Sequence, residues 1–297
     1  MLNNRFQPSK LVMAAYLVPS FLVYFAMLIV PLIMAITFSF FKFSNINNLT
    51  FVGLENYKTL FADKYVWISL KNNFFLIVVC MIGQIGIAFI LANILNSRLI
   101  RFASFHRTVM YFPVTLSAVV VGYIWSMVFD YNYGILAYVL RSLGYKEAVK
   151  PWLGQADTVM LFVCIPLIWQ YIGFHLVIIL SAMTSIDKSI YEMAEIDGAT
   201  GFRKAVFITF PMIKNTLSVC IMLCISANMK VFDHIIAMTN GGPGFSSSVL
   251  AVYTYKKSFS EMNLGYGSAL SVGFFVVTSA IIALSRILLS NKKGEIT

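Results

Sequence analysis

Long apolar runs alternate with short polar stretches along the chain. A helix needs about 20 predominantly apolar residues to cross a bilayer. Six runs of suitable length predict transmembrane helices at residues 11–41, 72–95, 108–129, 159–183, 216–238 and 269–289. The first run is too long for the core of a signal peptide and no convincing cleavage site follows it, so we expect it to be retained. The pattern therefore predicts an all-α membrane protein.

The composition favours the same class. Hydrophobic residues make up 59% of the 297 positions and charged residues only 11%, whereas a soluble domain carries about a quarter charged residues. The net charge of +10 does not indicate nucleic-acid binding, because no arginine-rich stripe or nucleic-acid motif accompanies it. Four cysteines lie inside apolar runs without disulfide or metal-ligand spacing, which favours packing roles. They are Cys80, Cys164, Cys220 and Cys224.

The distribution of basic residues bears on orientation. Six spans place both termini on one side of the membrane. Lys and Arg are slightly more numerous on that side, where they include Arg5, Arg98, Lys292 and Lys293. Since cytoplasmic loops carry an excess of these residues, we expect both termini to be cytoplasmic.

One polar stretch, residues 187–214, stands out between two apolar runs. It reads DKSIYEMAEIDGATGFRKAVFITFPMIK and holds four of the twelve acidic residues. Asp187 is placed to cap a short helix over residues 188–196. One face of that helix would carry Ile190, Met193, Ala194 and Asp197.

Glycines are expected to separate this helix from the next one. Gly198 and Gly201 would end the first helix, Thr200 would cap the second, and Pro211 would stand where the second enters the bilayer. Two interpretations remain open. The stretch is either a connecting loop on the membrane surface or a docking helix for a cytoplasmic partner.

Residues 192–211 resemble the EAA motif of ABC importer permeases, in which E-A-A-x-x-D-G-A is followed by I-x-L-P. The matching residues are Glu192, Ala194, Asp197, Gly198, Ala199, Ile208 and Pro211. The departures are Met193, Ala205 and Phe210, each of which exchanges one apolar side chain for another. Two further runs, FVGLENYKTLF at 51–61 and KVFDHIIAMTNGGP at 230–243, resemble the carbohydrate-uptake, maltose-type branch.

The resemblance implies a type-1 ABC importer permease fold with six transmembrane helices and a cytoplasmic coupling (EAA) helix. The type-1 domain would occupy residues 72–286 and contain the EAA loop 187–214. Residues 1–71 would hold the tail, the first helix and an outer loop, and residues 287–297 a cytoplasmic tail. The function implied is a membrane-spanning subunit of an ATP-driven, binding-protein-dependent sugar importer in a bacterial or archaeal cell membrane.

The implied partners are a second permease subunit, forming a heterodimer, two ATP-binding subunits and an extracytoplasmic sugar-binding protein. Outer loops, including residues 241–248, would meet the binding protein. No G-x-x-x-x-G-K stretch is present, so ATP and Mg²⁺ would be bound by the partner subunits and this chain would hold no cofactor and no metal. The resemblance assigns contact with the ATPase to Glu192, Met193, Ala194, Asp197, Gly198 and Ala199.

Polar and aromatic residues inside the apolar runs are candidates for the substrate path. Intramembrane polar groups usually face the bundle interior or an aqueous cavity, and sugar sites combine aromatic faces with amides and hydroxyls. The candidates are Gln170, Tyr171, Phe174, Cys224 and Asn228. The resemblance places Gln170, Phe174 and Asn228 near the translocation path.

Two other function classes compete with the importer subunit. An ion-coupled secondary transporter of a small polar solute would carry a coupling carboxylate in the membrane, and Asp233 is the main candidate. We favour a structural pair between Asp233 and Lys230, which stand at i and i+3. A membrane enzyme would need clustered titratable residues, and no ligand pattern surrounds His106, His175 or His234.

Overall fold

The computed structural model of the protein describes residues 10–43, 45, 48–96 and 101–289. Arg5, Arg98, Lys292 and Lys293, and the predicted tail from residue 290 onward, lie outside the described residues. The chain divides into two compact units. One comprises Met1–Ala62 and Thr254–Phe275, and the other comprises Asp63–Tyr253 and Val276–Thr297.

The first unit begins with a long apolar helix. Its segments are the α-helix Lys10–Tyr24, the π-helix Phe25–Ile29 and the α-helix Val30–Phe38. The π-turn precedes Pro31, and in it the N–H of Val30 bonds to the carbonyl of Phe25, five residues back. The same unit contains an antiparallel strand pair, a helix and a π-helix, at Phe41–Lys42 with Thr50–Phe51, at Glu55–Ala62 and at Lys256–Ser260.

In the second unit the regular elements that the structure describes are all helical, and loops join them. Its α-helices are Lys64–Cys80, Ile87–Leu95, Ala103–Tyr111, Ala118–Val128, Ile135–Ser142, Val159–Thr184, Lys188–Ile196, Gly201–Lys204, Phe210–Met212, Lys214–Met229, Asp233–Met238 and most of Leu250–Tyr255, whose last two residues belong to the first unit. The tighter 3₁₀ turns are Phe112–Thr115 and Lys146–Ala148, and the wider π-turns are Met81–Gly86 and Ala205–Thr209. The last helix of the chain, Leu264–Leu289, contributes residues to both units.

Two apolar cores stabilise the second unit. One forms around Leu76 and Leu167, and the other around Leu176 and Ile179. All four cysteines of the chain are free and buried in these cores: Cys80, Cys164, Cys220 and Cys224. The prediction that the cysteines serve packing is confirmed.

Within the described residues, four continuous helices are long and apolar enough to span a membrane. They are Val12–Phe38, Lys64–Leu95, Val159–Thr184 and Leu264–Leu289. Two helix pairs reach that length only together. The pair Ala103–Thr115 and Ala118–Val128 is bent by 97°, and the pair Gly201–Met212 and Lys214–Met229 by 79°. Counted in chain order, the bent pairs are the third and fifth of six spans.

The predicted helices at residues 108–129 and 216–238 are therefore not continuous in the structure. In the third span Pro113 lacks an N–H, and Leu116 and Ser117 are extended, with ψ of 145° and 135°. The fifth span bends near Pro211 and its second helix ends at Met229, well short of the predicted end at residue 238. Residues 233–238 instead form a separate short helix.

Three predicted loops also differ from the structure. The second span begins at Lys64 instead of residue 72, because Asp63 caps it by accepting the backbone N–H of Tyr65 at 2.9 Å. The predicted polar loop 130–158 contains the helix Ile135–Ser142. The sixth span starts at Leu264 rather than residue 269, whereas the fourth, Val159–Thr184, matches its prediction within one residue.

Candidate functional site

The segment that follows the fourth span and includes the first helix of the bent fifth span, residues 187–214, is called the coupling segment below. Its first helix, Lys188–Ile196, has the bounds that the sequence predicts. Asp187 Oδ1 accepts the backbone N–H of Ser189 at 2.9 Å, which is the predicted N-cap bond. Because this bond favours the ionised carboxylate, the Ser189 N–H holds the pKa of Asp187 below its ordinary value.

The end of that helix is a Schellman turn. The N–H of Ala199 bonds to the carbonyl of Ala194 at 2.8 Å, and the N–H of Gly198 bonds to the carbonyl of Glu195 at 3.1 Å. Gly198 has a φ of +76° and Gly201 a φ of +53°, a conformation that side chains disfavour. The predicted glycine break is confirmed.

Thr200 occupies the predicted N-cap position of the next helix, but its side chain makes no capping bond. The N–H of Arg203 bonds instead to the backbone carbonyl of Thr200 at 3.2 Å. A π-turn, Ala205–Thr209, then leads to Pro211 at the bend of the fifth span. The entry into the span is thus set by backbone geometry rather than by a threonine cap.

The coupling helix is mostly exposed. Of its predicted face, Ala194 is buried, Ile190 is half-buried, and Met193 and Asp197 are exposed. Ile196 is 84% exposed although it is apolar. The helix therefore packs along a narrow strip and leaves the carboxylates of Glu192 and Glu195 and the apolar side chains of Met193 and Ile196 exposed.

One ion pair crosses the glycine break. Lys204 Nζ lies 2.9 Å from Glu195 Oε1 and 5.7 Å from the ring centroid of Tyr191. Glu195 and Tyr191 belong to the coupling helix, and Lys204 belongs to the helix after the break. The contact therefore restrains the angle between the two helices. Both side chains are partly exposed, so the contact is weak.

A cavity of about 140 Å³ opens beside the end of the fifth span. It is lined by Ala118, Leu167, Tyr171, Ala227, Asn228, Lys230, Val231, Phe232, Asp233 and His234. A water molecule needs roughly a tenth of that volume, so the cavity holds several waters or part of a small polar solute. Of the predicted path residues, Tyr171 and Asn228 line it, while Gln170, Phe174 and Cys224 do not.

Asn228 is anchored from behind. Its Nδ2 donates to the carbonyl of Cys224 at 2.8 Å and lies 3.3 Å from the Cys224 sulfur. The Cys224 thiol in turn points to Gln84 Oε1 at 3.4 Å. Cys224 therefore supports Asn228, and the side chain of Asn228 is held at the cavity wall.

Lys230 and Asp233 are both exposed and line the same cavity. Among the residues that the structure describes, ion pairs join Lys204 to Glu195 and Lys257 to Glu261, so the predicted Lys230–Asp233 pair is not formed. The helix break after Met229 explains the difference, because the i, i+3 spacing brings side chains together only along a continuous helix. The cavity thus presents one cationic and one anionic side chain to its contents.

Both polar atoms of the Gln170 side chain bond to other parts of the protein. Its Nε2 donates to the carbonyl of Leu116 at 2.9 Å, and its Oε1 lies 2.7 Å from His234 Nε2. Sequence reasoning missed His234 as a partner. The residues next to His234 in the sequence do not indicate this contact, because Gln170 lies 64 positions away along the chain.

Two adjacent amides, also missed, hold the loop 239–249 and residues on either side of it. Asn72 Nδ2 contacts the carbonyls of Phe245, Ser246 and Ser248 at 2.8–3.3 Å. Asn73 Nδ2 contacts the carbonyls of Asn228 and Met229 at 3.3 and 3.2 Å, and its Oδ1 accepts the N–H of Leu250 at 2.9 Å. The sequence offered one signal for these contacts, since two adjacent asparagines, Asn72 and Asn73, stand at the polar start of an apolar run. The predicted turn at residues 239–244 is confirmed by positive φ at Asn240, Gly241 and Gly244.

Residues 84–291 match the family model described as "Binding-protein-dependent transport system inner membrane component". The chain belongs to this family. The matched region contains the coupling segment and the cavity. This permease is also similar over nearly its whole length to named relatives. It is 29% identical, over 97% of its own length and 99% of the relative, to the probable ABC transporter permease protein YurN of Bacillus subtilis.

Another relative carries a more specific name. The permease is 31% identical to the multiple sugar-binding transport system permease protein MsmF of Streptococcus mutans, over 89% of its own length and 94% of the relative. A chain in the crystal structure of a bacterial ABC transporter involved in the import of the acidic polysaccharide alginate has the same fold. The two chains superpose with a TM-score of 0.84 and are 21% identical, and the match covers 95% of this chain and 96% of the other. The predicted type-1 ABC importer permease fold is confirmed.

Proposed function

We propose that this permease is the membrane-spanning subunit of an ATP-driven importer of sugars or oligosaccharides. The observation that carries the proposal is the capped, exposed coupling helix that follows the fourth span in a chain of this family. The substrate class is supported by the MsmF relative, which is named for multiple sugar binding, and by a related structure in which an alginate transporter is in complex with an oligosaccharide-bound periplasmic protein.

The coupling helix is the proposed contact with an ATPase subunit. Its contact residues would be Glu192, Met193, Ala194, Asp197, Gly198 and Ala199. Exposed carboxylates suit basic groups in a partner's cleft, and the exposed side chains of Met193 and Ile196 supply apolar area that docking would bury. Closure of two ATP-binding subunits around ATP and Mg²⁺ would move the helix and, through it, the fourth and fifth spans.

The cavity is the proposed substrate path. The ring of Tyr171 offers an apolar face and a hydroxyl, and Asn228 offers an amide, which together suit a polyhydroxylated solute. Gln170, Phe174 and Cys224, which do not line the cavity, would support the path from behind its walls. With the coupling helix and both termini in the cytoplasm, loop 239–249 would face outward toward the binding protein, and a second permease would complete the pathway.

Co-purification tests the proposal. The permease and its candidate partners would be expressed together, and the tagged permease extracted in mild detergent. We expect ATPase subunits to accompany the wild type, and Glu192→Lys and Gly198→Pro to lose them while the permease still folds. Glu147→Lys, which reverses an exposed charge in another loop, is the matched control and should retain them.

Reconstitution in proteoliposomes provides the second arm. Sugar uptake that requires ATP, the ATPase subunits and the binding protein supports the proposal. Sugar movement by the permease alone, driven by an ion gradient, would overturn it in favour of a secondary transporter. Retention of the ATPase by both coupling-helix variants would refute the assigned docking surface.

A further inference from the structure

The amide of Gln170 connects three helices around the cavity. Gln170 lies on the fourth span and is only 1% exposed. Its nitrogen bonds to Leu116 in the break of the third span, and its oxygen bonds to His234 at the start of the short helix Asp233–Met238. Both polar atoms of this side chain are therefore occupied by the protein rather than directed at a solute.

The two bonds together define the protonation of the histidine. A carbonyl can only accept, so the atom of Gln170 that faces Leu116 must be the NH₂ group. The other end is then the amide oxygen, which also can only accept. His234 Nε2 must therefore carry a hydrogen and donate it to Gln170, and the neutral ring would be the Nε2–H tautomer.

The break in the third span explains why this amide is needed. Leu116 and Ser117 are extended, and the carbonyl of Ser117 already accepts the N–H of Val121 at 3.0 Å. Leu116 precedes that helix, and its carbonyl faces Gln170. Irregular backbone at membrane depth persists only where protein groups or water satisfy it, and the buried amide of Gln170 provides that partner.

We propose that Gln170 and His234 form a brace that positions the walls of the substrate cavity and that neither side chain needs to bind the solute through these atoms. The cavity residues Ala118, Tyr171 and Asp233 each lie within two positions of a braced residue: Leu116, Gln170 and His234, respectively. Fixing those three points sets the width of the opening between the third span, the fourth span and the short helix. The cavity's role as the substrate path rests on the proposed function, but the brace itself does not.

A double-mutant cycle on the reconstituted importer distinguishes a brace from a direct ligand. We expect His234→Leu to raise the KM for sugar uptake about tenfold, because it leaves the buried oxygen of Gln170 without its donor. In a Gln170→Leu background the same change should alter KM by less than about twofold, since coupled residues are non-additive. His234→Gln, which can place an N–H near the position of Nε2, should restore most of the affinity.

The opposite pattern would overturn the brace. If His234→Leu raises KM equally in both backgrounds, the two side chains act independently. Equal losses in His234→Leu and His234→Gln would show that the donor is not what matters. A fall in the maximal rate with an unchanged KM would also count against a role in shaping the binding cavity.

A spectroscopic readout is independent of transport. In ¹⁵N-histidine-labelled permease in nanodiscs, with resonances assigned through His106→Gln and His175→Gln, we expect His234 to be the neutral Nε2–H tautomer. The Gln170→Leu variant should show a mixture of tautomers, and a wild-type Nδ1–H tautomer would refute the brace. If the wild-type complex moves no sugar with ATP, the proposed function fails, whereas the tautomer result still decides the brace.

Discussion

The coupling segment and the loop 239–249 are both polar, and each contains two glycines of positive φ. The coupling segment leads into the helix Lys214–Met229, and the loop follows the short helix Asp233–Met238 that comes after it. Their surroundings differ. The coupling helix exposes most of its side chains, whereas Ser247, Ser248 and Val249 in the loop are at most 1% exposed. A turn that contains glycine is therefore not mobile for that reason alone. Its mobility depends on whether other segments supply hydrogen-bond partners for its backbone.

The partners of loop 239–249 come from the second span. Asn72 binds three of its carbonyls, Ser69 bonds to Ser248, and the ring of Tyr65 lies 4.0 Å from that of Phe245. The coupling segment has an N-cap, a Schellman turn and an exposed ion pair, all local. We therefore expect loop 239–249 to be stiff and the coupling segment to be a hinge, and four experiments test this contrast.

Asn73→Leu should have the largest effect. It removes three bonds while keeping a similar volume, and it leaves the carbonyls of Asn228 and Met229 and the N–H of Leu250 buried without partners. We expect a loss of about 3 kcal/mol of stability, measured by thermal or denaturant unfolding in detergent. Asn93→Leu is the matched control in the same span, because among the described residues its amide bonds to the carbonyl of Phe89, one turn earlier on the same helix. Equal losses in the two variants would mean that Asn73 does not fix the end of the loop at Leu250.

The double variant Gly198→Ala, Gly201→Ala should come second. Nothing lies within 4 Å of a Cβ at either position, so the cost is the left-handed backbone alone, roughly 1–2 kcal/mol per residue. Local unwinding can relieve it in an exposed segment. We therefore expect ATP-dependent uptake to fall several-fold while the unfolding midpoint changes little.

Gly86→Ala is the control for this hinge, because its Cβ also meets open space but its φ is −63°. It should leave both uptake and unfolding unchanged. An equal loss of uptake in Gly86→Ala, or unaffected uptake in the double variant, would contradict the hinge.

Removing the ion pair across the hinge should have a small effect. Lys204 and Glu195 have side-chain exposures of 30% and 57%, and such pairs are worth about 0.2–1 kcal/mol. A cycle of Lys204→Gln, Glu195→Gln and the double variant, read by hydrogen exchange of residues 188–204, should show a coupling at the lower end of that range. The coupling should fade in 1 M salt, and persistence at high salt would identify a stronger lock than the geometry implies.

Acidification should have the smallest effect. The pKa of Asp187 is lowered in the folded protein, so its capping bond contributes fully above the unfolded pKa and is lost as the pH falls through the folded pKa. Hydrogen exchange in the coupling helix should therefore accelerate at acid pH relative to Asp187→Asn, which caps without titrating. Comparison at each pH cancels the intrinsic exchange rate, and a constant ratio would exclude the cap as the source.

The coupling helix could be predicted from sequence because its determinants are local. Asp187, Gly198 and Gly201 lie within fifteen residues and act on their own backbone. The bounds of the fourth span followed in the same way from an uninterrupted apolar run. Local patterns of this kind do not depend on the rest of the fold.

The cavity could be predicted only in part. Tyr171 and Asn228 line it as expected, but the occupation of Gln170 depends on His234 and on a break in the third span that the apolar pattern of 108–129 conceals. The pairing of Asn73 with Leu250 spans 177 positions. The expected Lys230–Asp233 contact assumed a continuous helix. Each of these outcomes depends on how distant segments meet, which hydrophobic periodicity does not encode.

The burial of the four cysteines has a practical consequence for measuring the hinge motion of the coupling segment. A water-borne maleimide cannot reach Cys80, Cys164, Cys220 or Cys224 while the protein is folded, because none is more than 1% exposed. The native cysteines therefore will not react when an introduced cysteine is labelled in the folded protein. Lys188→Cys, on the exposed start of the coupling helix, would accept a single spin label or fluorophore without prior removal of native thiols.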